Sequence, residues 1–247
     1  MPPTAPPDSS RRLPLLDALR GIAVMMMIAY HFLFDTTYFK LTQFHMLVEP
    51  GWILWRDLIV SSFLLITGIS LVLAQHQSAR GLLRRNLQIG GSAALVSIGS
   101  YLVFPASFIY FGILHFNLLA SLICAPLRRL GRWTLPLGIV AGLAGILLSS
   151  PLFDPKYINW LGFVTHKPIT EDYVPLFPWL GVVLVGMAIG RHWQQHGLTQ
   201  PASLAALSAR LPAWLRWLGR HSLLVYLIHQ PLLFAGFEAA RGLQLIR

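Results

Sequence analysis

The feature that most constrains this chain is the recurrence of apolar runs long enough to cross a bilayer. About 20 apolar residues span the hydrocarbon core as a helix. Such windows lie at roughly 15–34, 53–74, 87–104, 108–126, 134–150, 174–190 and 220–240. The third and fourth are separated only by "FPASF", and the fifth is short, with Pro136 near its start. Composition decides between a membrane bundle and a soluble helical protein. Of 247 residues, 55% are hydrophobic and 11% charged, with a mean hydropathy of +0.61. A soluble domain carries about 25% charged residues, and half that share is too little to cover a water-facing surface. The expected fold is an all-α integral membrane protein, a bundle of about seven transmembrane helices forming one domain over 13–247. The Pro- and Ser-rich start "MPPTAPPDSS" forms no packed element, so residues 1–12 read as a disordered tail. The run after it carries Asp17 and Arg20 and no small-residue cleavage site, which argues against a secretory signal.

The net charge of +10 reads as topology. Arg11, Arg12, Arg20, Arg80, Arg84, Arg85, Arg128, Arg129, Arg132, Arg191, Arg210, Arg216 and Arg220 all fall on one face of such a bundle. Basic segments stay in the cytoplasm, which puts the N-terminus inside and, with an odd span count, the C-terminus outside. A nucleic-acid partner is not expected. The lone Cys124 forms no disulfide framework within one chain. "GIVAG" (138–142) and "GMAIG" (186–190) have the spacing that lets helix backbones approach. The aromatic segment 151–173 is either a lid or acceptor platform or, more simply, an interfacial anchor.

Charged groups at membrane depth cost about 3 kcal/mol each by insertion scales, so the few present are informative. Asp17 and Arg20 lie near the inner end of the first helix and His31 and Asp35 near its outer end. Arg56 and Asp57 open the second helix, His115 and Asn117 lie in the fourth, and Tyr226, His229 and Gln230 in the last. At about 1.5 Å per residue, His31, Asp57, His115 and His229 converge in the outer half. Each also has a plainer reading. Asp17 and Arg20, three apart, can simply pair. A histidine at a helix end can be interfacial. Adjacent Arg56 and Asp57 are expected to point apart to separate partners. No phosphate-binding glycine loop, nucleophile elbow or HExxH is present. His31, His115 and His229 match no metal-ligand spacing, so no metal is expected. Imidazole suits proton removal from a hydroxyl or amine at neutral pH, and a carboxylate such as Asp57 would steady the imidazolium. This arrangement serves acyl transfer, with the inner arginines, Arg84 and Arg85 among them, holding donor phosphates.

"LDALRG" (16–21), with His31 eleven residues after Arg20, resembles the first helix of acyltransferase-three membrane enzymes. "DLIVSSFLLITGISL" (57–71), "FIYFGILHFNLLA" (108–120), "FPWLGVVLVGMAIGR" (177–191) and "GRHSLLVYLIHQPLL" (219–233) resemble the catalytic domain of heparan-α-glucosaminide N-acetyltransferase in its short bacterial form. The resemblance implies an acyl-CoA-dependent acyltransferase. It would move an acetyl or other acyl group from cytoplasmic acetyl-CoA, a co-substrate rather than a resident cofactor, to a sugar amine or hydroxyl outside. Asp17 and Arg20 would serve the donor side, and Asp57 and His229 match the family's second and last helices. His31 occupies the histidine position of one group, while His45 is nearest to that of the other. His31 is the leading base and His45 the second, acting directly or as an acyl carrier. Arg56, His115, Asn117, Tyr226 and Gln230 would line the acceptor pocket. The implied setting is a bacterial inner membrane, with the lipid bilayer, acyl-CoA and a saccharide as partners and a homodimer kept open. The competing reading is a small transporter or proton-coupled permease, since buried His, Asp and Arg also mark proton relays.

Overall fold

The computed structural model describes residues 13–74, 78–196 and 210–246; the tail expected at 1–12 lies outside the described residues. The fold is all-helical, 76% helix, with no strand among the described residues. The long helices are α1 (Pro14–Tyr38), α2 (Pro50–Leu73), α3 (Ala79–Val103), α4 (Ile113–Leu127), α5 (Thr134–Leu147) and α6 (Leu176–Gln195). A short α7 (Ala213–Arg220) leads into α8 (Ser222–Gly242). Pro14 and Pro50 start α1 and α2, where the fixed φ of proline is already helical and its missing N–H costs nothing. Ser78 caps α3 by accepting the Gly81 N–H at 3.2 Å.

Each apolar window of the sequence contains one long helix, seven among the described residues. Among the described residues, five runs are long and apolar enough to cross a membrane, by length and composition alone: α1, α2, the stretch Ile113–Leu147, α6 and α8. Ile113–Leu147 breaks into α4 and α5 at Gly131, whose φ of 58° leaves the helical region. α3, the expected third span, runs alongside α4: Asn86 near its start accepts from Ser121 and Ser97 further along meets His115, while Arg80, Arg84 and Arg85 lie in its first turns. An integral membrane protein follows from these five apolar runs.

α6 is the hub, packing on α2 and α5. Leu64, Phe116, Val183, Leu184 and Met187 fill the core between α2, α4 and α6. A second cluster, built on Val24, Met27, Tyr30, Ile59 and Val225, joins α1 to α2 and α8. The α2–α6 crossing depends on glycine. A Cβ at Gly68 would run into the Val183 carbonyl, and one at Gly186 into the Leu65 carbonyl. Both Gly-x-x-x-Gly stretches lie at such crossings, Gly138 against Gly181 and Gly190 against Ile69.

Gly68→Val is expected to lower stability by about 1–3 kcal/mol, read as thermal unfolding in detergent. Gly91→Val, on the open side of α3 with nothing within 4 Å of its Cβ, should leave the melting temperature in place.

Candidate active site

α1 and α8 run side by side in the same direction. At the arginine-rich end Asp17 accepts from Arg220 Nε at 3.1 Å and from Arg20 Nη1 at 3.5 Å. At the opposite end Phe39 stacks on Phe237 at 5.1 Å. Between them the His31 and His229 rings meet edge to face, 4.9 Å apart. One turn further along α1, Gln230 Nε2 donates to Asp35 Oδ1 at 2.8 Å. α1 and α8 thus bring together His31, His229 and Gln230 of the sequence candidates.

The protonation pattern of these histidines follows from their partners. His31 Nδ1 lies 2.9 Å from the Met27 carbonyl oxygen and His229 Nδ1 lies 2.7 Å from that of Tyr226. A carbonyl only accepts, so Nδ1 carries the hydrogen in both rings and the neutral imidazole keeps its lone pair on Nε2. Neither Nε2 has a hydrogen-bond partner among the described residues. Asp35 Oδ2 and Gln230 Oε1 are likewise buried without one. Buried polar atoms are nearly always hydrogen-bonded; His229 Nε2, Asp35 Oδ2 and Gln230 Oε1 are three exceptions on facing turns of α1 and α8.

His115 differs. Its Nδ1 accepts the Gly112 N–H at 3.3 Å and its Nε2 is 3.1 Å from Ser97 Oγ, which donates to the Ile109 carbonyl at 2.6 Å. With Nδ1 accepting, Nε2 must donate: Nδ1 caps the start of α4 itself and Nε2 ties α4 to α3. Asn117 Oδ1 accepts from Thr67 Oγ1 at 3.2 Å and ties α4 to α2.

Asp57 and His45 make no hydrogen bond or ring contact with the histidine pair among the described residues, although the charges of Arg56 and Asp57 reach Tyr30 beside His31. Asp57 Oδ1 accepts from Arg56 Nε at 3.1 Å and Nη2 at 3.0 Å, so the neighbours expected to point apart instead pair. Side chains one residue apart do not face each other on a helix, but the arginine stem is long enough to fold back. His45 is exposed and its Nδ1 is 3.3 Å from Glu49 Oε1.

The carboxylate whose charge reaches His31 is Asp172, from the long loop between α5 and α6; Tyr226, which donates to it, also has its ring 5.7 Å from that of His229. Asp172 Oδ2 accepts the Ile113 N–H at 2.9 Å and the Tyr226 hydroxyl at 3.4 Å. Burial raises its pKa above the usual carboxylate range, while the Ile113 N–H, His31, Tyr226 and Lys167 hold it down. The loop is pinned by Thr170 Oγ1 donating to the Phe108 carbonyl at 2.9 Å and by Tyr173 donating to the Asn159 carbonyl at 2.7 Å. Glu171 accepts from Ser107. Nothing in "TEDY" separates Asp172 from Glu171 by sequence, because a loop has no periodicity to tell which side chain points inward.

At the other end, Arg20 Nη2 donates to Ser70 Oγ at 3.1 Å. The charges of Arg20 and Arg128 both reach Arg85. Arg191 Nη2 donates to the Arg128 carbonyl at 2.6 Å. Arg84 turns away and lines a shallow surface hollow with Arg80 and Gln88. Among the described residues no group of three or more His, Cys, Asp or Glu side chains is placed to hold a metal ion.

The family model described as "Heparan-alpha-glucosaminide N-acetyltransferase, catalytic" matches residues 12–231. No curated protein and no solved structure matches the chain.

Because both His115 nitrogens are engaged, His115→Ala should destabilise the protein by about 1–3 kcal/mol. His45→Ala, at an exposed pair, should change stability by less than about 1 kcal/mol. Thermal unfolding of the two variants side by side measures the difference.

Proposed function

Since the chain belongs to the heparan-alpha-glucosaminide N-acetyltransferase catalytic family, we propose that it is a bacterial inner-membrane acyltransferase. In this reading acyl-CoA binds at the arginine-rich, cytoplasmic end, and a saccharide amine or hydroxyl on the outer side accepts the acyl group. The family supports a membrane acetyltransferase. The observation that supports the finer reading is the His31–His229 pair, two rings in edge-to-face contact that each hold Nδ1 on a backbone carbonyl and keep the Nε2 lone pair.

His31 acts as the general base, and His229, beside it, holds or passes the proton. The acceptor's lone pair attacks the thioester carbonyl carbon, and its proton moves to His31 Nε2. The unpartnered acceptors Asp35 Oδ2 and Gln230 Oε1 complement a group that brings N–H or O–H donors. Arg20, Arg85 and Arg128 gather positive charge where CoA phosphates would sit; guanidinium forks suit phosphate oxygens. Arg20 and His31 share α1, eleven residues or about 16 Å apart, a span that an extended pantetheine arm covers. Asp17 steadies Arg20 and Arg220 at this mouth. Asp57 with Arg56, and His45 in the loop before α2, belong to the rim on this reading, and Tyr226, His115 and Asn117 to the framework around the histidines.

His31→Ala and His229→Ala are each expected to reduce acetyl transfer by about 100-fold or more while the protein still elutes as a folded species from detergent. Full activity in both would remove the assignment. CoA at 100 times its Kd should raise stability by about 2.7 kcal/mol; a transporter with no CoA site would show no such shift. Arg85→Ala should raise the KM for acetyl-CoA about tenfold with kcat little changed, the pattern of lost ground-state binding.

A further inference from the structure

Asp172 does more than its local hydrogen bonds require. The Ile113 N–H is one of the first-turn donors that a helix leaves unpaired, and a neutral Asn or Ser side chain would satisfy it. Instead a carboxylate is held there, in a fixed place. A Cβ at Gly112 would collide with Asp172 Oδ2 and sit 2.7 Å from Cγ, so only glycine leaves room for it. The groups that face Asp172 are His31 from α1, His115 from α4, Tyr226 from α8 and Lys167 from its own loop. Those that face His31 are Asp172 and, from α8, His229.

We propose that Asp172 is the positioning residue of the transfer reaction: fixed on the α4 N-terminus and the Tyr226 hydroxyl, it stabilises the positive charge that His31 acquires on taking the acceptor's proton. The proposal rests on the acyltransferase reading above. In the step itself the acceptor nitrogen or oxygen bonds to the thioester carbonyl carbon and its proton goes to His31 Nε2. The carbon–sulfur bond breaks, and the departing thiolate takes that proton to become the CoA thiol. Asp172 takes no proton in the step: burial works against its charged form, and the Ile113 N–H, the Tyr226 hydroxyl, Lys167 and the His31 imidazolium itself favour it. A carboxylate near an imidazole favours the charged imidazolium; here it acts through space, since His31 Nδ1 is held by the Met27 carbonyl. The loop between α5 and α6 is then part of the active site rather than a surface anchor.

The test uses the full chain in detergent with acetyl-CoA and glucosamine. Asp172→Asn keeps an oxygen for the Ile113 N–H and removes the charge. The expected result is a fall of about 100-fold in kcat, with the KM for acetyl-CoA within about twofold. The acid limb of the pH–rate profile should move down by about one pH unit, a readout that a cap alone would not shift. Gly112→Ala leaves every charge in place but pushes the carboxylate aside, and should share the loss in kcat. Unchanged kcat and an unmoved profile in Asp172→Asn, in a protein that His31→Ala inactivates, would overturn the inference while the acyltransferase reading stands. If Asp172→Asn does not fold, wild-type kcat in Gly112→Ala overturns it equally. A wild-type protein that transfers no acetyl group would remove both.

Discussion

The packing of the first helix against the last segment of the chain is the contact on which the rest of the structure depends. Hydrocarbon offers no hydrogen bonds, so each polar group at depth must find its partner inside the protein. α1 carries polar groups near both ends of its apolar run, and α7 and α8 supply the partners. Arg220 reaches Asp17, His229 reaches His31, and Gln230 reaches Asp35. These pairs join residues about 200 positions apart in the chain, with 203 between Asp17 and Arg220 and 195 between Asp35 and Gln230. Two glycines permit the approach at the lower end, Gly21 under Leu215 and Gly219 against the Asp17 carbonyl. If α7 stood further off, Asp17 would lose a guanidinium and α8 its register on α1.

Within that frame the polar side chains divide by what their atoms still lack. His115 has both ring nitrogens engaged and ties α4 to α3, and Asn117 Oδ1 ties α4 to α2. His31 and His229 each hold one nitrogen on a backbone carbonyl and leave the other with its lone pair. Residue type alone does not make this distinction, since all three are histidines in apolar helices. It follows from which backbone group lies within reach: a carbonyl makes Nδ1 a donor, whereas the Gly112 N–H makes it an acceptor. The same logic separates the carboxylates. Asp57 is neutralised by its neighbour Arg56, while Asp172 is drawn inward by a helix N–H and a tyrosine hydroxyl.

Much of the architecture was legible in the sequence. Each apolar window holds a long helix, Pro14 and Pro50 mark two starts, and the Gly-x-x-x-Gly stretches lie at close crossings. α3 extends further back than its apolar window and takes Arg80, Arg84 and Arg85 into its first turns. The pairing of Arg56 with Asp57 was not legible, because facing rules hold for side chains that stand out from the helix and a long arginine can lie along it. His31 and His229 stood out as histidines in apolar runs, but their meeting depends on how α1 and α8 are rotated.

By itself the sequence determined helix content, the approximate extent of the helices and the segregation of arginine to their shared ends. Hydropathy over 20 residues and the charge of a short connection are local properties, and a bilayer converts them directly into spans. Only the tertiary structure decided which polar groups share a space. Each residue turns a helix by about 100°, so a small rotation moves an imidazole from the bundle interior to lipid, and no local pattern records the rotation. Asp172 lies in a loop without any period; its place beside His31 is set by an N–H of α4 and a hydroxyl of α8, neither of which is near it in sequence.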